Sequence, residues 1–204
     1  MGLRNTPLRW GSVAMTLHWA TALLVLAMIP LGWVAEGWPL SRTKVELFAW
    51  HKSIGVVILA LAAVRVLWRL LDPAPPLPAA MTRLERALAR ASHLGLYGLL
   101  LAMPISGWVI NSAANFPFKV FGLVPLPVLV APEKATQRLA EDVHLFLFWT
   151  LATLLILHVG AALRHHFRLH DDVLLRMLPA RRGMGTLNRR RDEDMPSPSG
   201  RRPG

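Results

Sequence analysis

The sequence predicts an all-α fold: an integral membrane four-helix bundle with both termini cytoplasmic. Three observations carry this. Over half of the 204 residues (53%) are hydrophobic, more than a soluble domain usually holds. Four apolar runs reach bilayer length, and the segments between them are short, polar or proline-rich. Most Lys and Arg residues lie between and beyond those runs or near their ends. A formal net charge of +11 would suggest nucleic acid in a soluble chain. Charge that brackets apolar runs instead sets topology, so the expected partner is the lipid bilayer and no nucleic acid. There is no cysteine, which excludes disulfides, thiolate-ligated iron–sulfur clusters and covalent c-type haem. No glycine-rich phosphate loop or G-x-G-x-x-G occurs either. A redox cofactor here must be held by histidine or methionine.

Arg4 and Arg9 precede the first apolar run, about 13–35, which is too long for a signal-peptide core and shows no convincing cleavage site. His18 and Trp19 lie about one turn inside it. Pro39 ends this helix. The second, about 47–71, carries His51 near its start and Arg65 and Arg69 near its end. The stretch DPAPPLPAAMTR then lies over the membrane surface, since prolines at this density forbid a helix. The third helix, about 84–110, begins in a basic amphipathic stretch and holds His93, Tyr97 and Pro104. VFGLVPLPVLV in the next connection is too short and too proline-broken to span, so it should dip into the interface. The fourth helix, about 141–167, carries His144 and His158. A surface helix should follow, in RHHFRLHDDVLLRMLPARR. Residues 1–180 thus read as one membrane domain and 181–204 as a basic, disordered cytoplasmic tail.

Basic residues concentrate at the amino terminus, around the connection between helices two and three, and in the tail. The other two connections hold few: Arg42, Lys44, Lys52, Lys119, Lys134 and Arg138. Positive-inside therefore places both ends in the cytoplasm.

Depth then sorts the histidines. His144 and His158 are fourteen residues apart, about 21 Å along a helix and within roughly 40° of one face. With the helix directions above, His51 matches His144 in the outer half and His18 matches His158 in the cytoplasmic half. The result is two bis-histidine sites, and ionisable groups at membrane depth are usually functional. Haem b, which takes two opposed imidazoles in an apolar slot, is the natural occupant. Zinc fits less well, because neither layer offers a carboxylate. His93, at cytoplasmic depth, is either an alternative to His18 or a polar neighbour of that site together with Tyr97. Arg65, fourteen residues after His51, faces the cytoplasmic layer, as a propionate partner or as an anchor that snorkels. Gly55, one turn after His51, leaves room for a macrocycle; Gly95, Gly98 and Gly107 offer similar room on the third helix. His165, His166 and His170 lie at the membrane edge.

NTPLRWGSVAMTLHW around His18, HKSIG at His51 with RVLWR after it, MTRLERALARASHLGLY, VHLFLFW, LHVGAALRHHF and the closing DDVLLRMLP recur in order. Over about residues 4–180 the chain resembles the bacterial cytochrome b561 family of four-helix di-haem membrane proteins. The long basic tail and the segment FRLHDD are its departures. The resemblance implies two haem b groups, with axial pairs His51/His144 and His18/His158, and electron exchange with ubiquinone or another quinone in the bacterial cytoplasmic (inner) membrane. The expected function is transfer of electrons from a periplasmic donor, superoxide being one candidate, to the quinone pool. That would make the chain a quinone-linked oxidoreductase of superoxide oxidase type. The alternative is a cytochrome b subunit or anchor relaying electrons for a separate redox protein. Quinone is expected near His93, Tyr97, Arg90 and His165.

Overall fold

Four helices long and apolar enough to cross a membrane make up most of the chain. The structure is a computed structural model and describes residues 2–78 and 81–178. The tail expected over 181–204 lies outside the described residues. In chain order the elements are α1 (Ser12–Gly37), α2 (Arg42–Leu71), α3 (Arg83–Ala113), β1 (Lys119–Val120), β2 (Val124–Pro125) and α4 (Lys134–Phe167). A single 3₁₀ turn at Leu175–Met177 follows. α1 packs on α2, α2 on α3 and α3 on α4. Pro30 and Pro104 sit inside continuous helices, as membrane helices tolerate when neighbours cover the freed carbonyl.

Two helices begin earlier than the hydropathy pattern predicts. α2 starts at Arg42 rather than near 47, because Ser41 accepts a hydrogen bond from the Lys44 N–H and Arg42 pairs with Glu46 at 2.9 Å. α4 starts at Lys134 rather than near 141, and Gln137 bonds Glu141 one turn on. Apolarity marks where lipid begins; good helix formers carry the helix beyond it. α3 opens with a capping box, Thr82 and Glu85 each bonding the other's backbone N–H, an arrangement worth about 1 kcal/mol.

Among the described residues, the predicted surface helix after α4 is reduced to the 3₁₀ turn at Leu175–Met177. His170 adopts φ 52° and the chain turns back. The Asp171 carboxylate accepts from the Val173 N–H at 3.1 Å and faces His165 Nδ1 at 2.5 Å. Aspartate bonding its own local backbone favours turn over helix. That turn is latched to the rest of the same end: Trp19 Nε1–H donates to the Met177 carbonyl at 2.8 Å and Arg9 to that of Leu178 at 2.7 Å. Asn5 N–H in turn donates to buried Asp72 at 2.9 Å.

At the opposite end the non-spanning connection forms a short antiparallel hairpin, with Phe121 and Gly122 at positive φ in its turn. The Phe121 N–H donates to Ser53 Oγ, and the Leu129 N–H to Ser112 Oγ, which ties the hairpin to α2 and α3.

Large apolar side chains point outward along the helices, among them Leu23, Trp33, Leu67, Phe146, Ile156 and Leu157. A water-soluble monomer rarely exposes such a surface; on four membrane-length helices it is the lipid-facing one. The packed core is thin, centred on Val25, Ile58, Ala62, Leu99, Leu100 and Leu151.

Candidate functional site

Each helix presents the same inward face at intervals of seven residues, close to two full turns. The triplets are His18, Val25 and Gly32 on α1, and His51, Ile58 and Arg65 on α2. They are His93, Leu100 and Gly107 on α3, and His144, Leu151 and His158 on α4. The middle member of every triplet is buried in the core. The outer members form two polar layers on either side of it, one facing the hairpin and one facing the chain ends.

In the hairpin-side layer the His51 and His144 ring centroids are 6.4 Å apart with an interplanar angle of 66°. Gly32 makes room for the first ring, since a Cβ there would lie 2.9 Å from His51 Cε1; at Gly107 it would lie 3.3 Å from His144 Cε1. The His51 Nδ1 is buried and has no hydrogen-bond partner among the described residues. The His144 Nδ1 lies 2.8 Å from Ser106 Oγ. At this end Lys52 donates to Asn111 Oδ1 at 2.8 Å and lies over the Phe116 ring. Lys119, Lys134 and Arg138 are exposed.

The layer near the chain ends is more crowded. His18 and His158 have centroids 6.4 Å apart at 54°. His93 stands closer to His158, at 5.5 Å and 71°. Arg65 reaches across with Nη2 3.1 Å from His18 Nδ1, and its guanidinium also lies 5.3 Å from the Tyr97 ring centroid. Two expected members stand apart from this cluster. The His165 ring is engaged by Asp171. Arg90 is exposed one turn before His93, and among the described residues no hydrogen bond or ion pair ties it to His93 or Tyr97. Gly55 has room beside it: a Cβ would meet only Met28 Cε, at 3.8 Å.

These distances bear on what the layers can hold. A metal atom bonded at about 2.0 Å to one nitrogen of each of two opposed imidazoles needs ring centroids roughly 6.3 Å apart. Both pairs have that separation, and they stand at opposite ends of a packed apolar layer. Among the described residues no group of three or more His, Asp or Glu side chains gathers as a metal cage, so each layer offers opposed imidazoles rather than a zinc-type site. A haem iron held by two imidazoles fits this donor set, and so does the buried His51 ring, whose Nδ1 has no hydrogen-bond partner among the described residues.

Gly32 and Ser106 are the residues that sequence reasoning missed. Gly32 had a signal, since it lies fourteen residues after His18 on the same face. Ser106 had none, because its partner depends on which way a ring on another helix turns.

The match to known proteins covers the same stretch as this architecture. Residues 9–180 fit the family described as prokaryotic cytochrome b561. Cytochrome b561 homolog 2 of Escherichia coli K12 is 40% identical over 87% of this chain and 95% of its own length. The probable superoxide oxidase CybB of Yersinia pestis is 30% identical, covering 86% and 98% of the two chains. Cytochrome b561 homolog 1 of E. coli K12 is 30% identical over 85% and 99%. With four apolar helices and two inward histidine layers, the chain belongs to the prokaryotic cytochrome b561 family of haem b membrane electron-transfer proteins.

Proposed function

We propose that this chain carries two b haems and passes electrons from a periplasmic donor to the quinone pool of the bacterial cytoplasmic membrane. His51 and His144 would hold one haem, His18 and His158 the other. The observation that carries the reading is the repeated 6.4 Å centroid separation at both ends of one apolar layer. His93 is 5.5 Å from His158, closer than two imidazoles on opposite sides of one metal atom stand, which favours His18 as the partner of His158. Bound haem supplies reversible one-electron chemistry at iron.

The chain's own residues supply the rest. Val25, Ile58, Leu100 and Leu151 keep the space between the layers free of water. The distribution of basic residues turns the chain ends toward the cytoplasm and the hairpin outward. On the cytoplasmic side His93 and Tyr97 border the quinone, with a His93 ring nitrogen exchanging a proton with a quinone oxygen. His165, oriented by Asp171, and Arg90 lie toward the membrane edge of that site. On the outer side Lys52, Lys119, Lys134 and Arg138 attract an anionic donor. Superoxide is such an anion, and the Yersinia relative carries its name.

The test is haem content per chain with a reduced-minus-oxidised spectrum, on the wild type and on His51→Ala and His158→Ala. Two b haems in the wild type and one in each variant are expected. One haem or none in the wild type refutes the layered pairing. Reduction of the wild-type protein by added superoxide supports that donor; an unchanged spectrum points to a protein partner.

A further inference from the structure

The hydrogen bonds around His144 determine which of its nitrogens carries the proton. Ser106 Oγ lies 2.7 Å from the Met103 carbonyl oxygen and 2.8 Å from His144 Nδ1. A hydroxyl has one proton, and a carbonyl can only accept. The Ser106 proton is therefore spent on Met103, and the 2.8 Å contact is closed by a proton on His144 Nδ1, donated to Ser106 Oγ. That leaves Nε2 with its lone pair free. Ser106 is buried, so water does not compete for the contact. Its neighbour Gly107 gives the ring the space to turn this way.

From this relay we infer that Ser106 is a positioning residue: it fixes His144 as the Nδ1–H tautomer, aims Nε2 at the iron and raises the electron-donating power of the ring. The inference rests on the reading of His144 as an axial ligand. An outer hydrogen-bond acceptor on a ligating histidine orients the ring, raises its basicity and typically contributes about 10–100-fold to metal affinity. A more basic ligand favours ferric over ferrous iron, so Ser106 holds the midpoint potential of the hairpin-side haem down. Among the described residues His51 has no matching partner at its Nδ1, which leaves the tuning of that layer to one side.

The experiment is a spectroscopic redox titration of the haem-loaded protein with Ser106→Ala and Ser106→Thr variants. Haem content is measured on the same samples and on His144→Ala. Ser106→Ala should keep both haems, raise one midpoint and leave the other unmoved, with haem at the shifted site exchanging more readily. Ser106→Thr keeps the hydroxyl and should return that midpoint to the wild-type value. Unmoved midpoints in Ser106→Ala, or equal shifts in Ala and Thr, would overturn the role of the hydroxyl. Retention of both haems by His144→Ala would instead overturn the ligand reading on which it rests.

Discussion

The two histidine layers have the same ring separation and different surroundings. On the hairpin side the rings are bordered by glycine and by one hydroxyl that accepts from nitrogen: Gly32, Gly107 and Ser106. On the side of the chain ends the corresponding positions hold His93 and Arg65, and Tyr97 closes the group. The helices supply the same four faces to both layers, so the difference lies in what occupies the inward position two repeats along. Where that position is glycine, the imidazole of a neighbouring helix takes the space a side chain would fill. Where it is arginine or histidine, the layer also holds charge and exchangeable protons. A common scaffold thus carries one layer lined by small residues and another lined by charged and titratable ones.

The sharpest way to break the comparison is to fill the glycine slot. In Gly32→Leu the new side chain starts 2.9 Å from the His51 ring, a distance that forces His51 to move. Haem content should fall from two to about one per chain, with the surviving spectrum that of the His18/His158 site. Retention of both haems would show that the slot is not needed. A smaller change tests the other layer. His93→Ala should keep both haems and lose most quinone reduction, by about 10²-fold or more if the ring acts as the proton donor. Loss of a haem in that variant would instead make His93 a ligand and displace His18 from the pairing.

How much of this the sequence alone discloses follows from what each feature depends on. The four spans and the histidine layers are legible because helical periodicity and apolarity are properties of one helix at a time. The same arithmetic that relates His144 to His158 leads from His18 to Gly32 and from His93 to Gly107. Helix ends are less legible: Arg42 and Lys134 are polar, so hydropathy stops short of them while capping and i,i+4 pairs continue the helix. The turn after Phe167 is hidden because Asp171 and Asp172 suit a helix terminus as well as a surface helix. Ser106 and the latch of Arg9 and Trp19 onto Leu178 and Met177 join parts of the chain far apart in sequence, and no local pattern records them.

The smallest effect expected is also the one that bears most on direction. Arg65 is the charged counterpart of Gly32 and Gly107, with its Nη2 3.1 Å from His18 Nδ1. Guanidinium only donates, so in this contact His18 Nδ1 is an acceptor, the reverse of His144 beside Ser106. Ligation through His18 Nε2 by a neutral ring puts a proton on Nδ1, so Arg65 must then turn away, toward the Tyr97 face it already covers or toward a propionate. In either position its charge stays within the layer and favours the reduced, less positive iron. Lys52 keeps its charge while bonded to the neutral Asn111 amide and lying over the Phe116 ring, and it acts in the same sense on the hairpin-side layer, so the variant reads Arg65's own contribution. Arg65→Met should therefore lower the midpoint of the His18/His158 haem by on the order of 60 mV, about tenfold in a one-electron equilibrium, and Arg65→Lys should lower it less. Beside the upward shift expected for Ser106→Ala in the other layer, this makes both wild-type contacts favour the electron on the side of the chain ends, where quinone is proposed to bind. A midpoint that stays put or rises in Arg65→Met would remove that bias and leave the direction of transfer to the donor and the quinone alone.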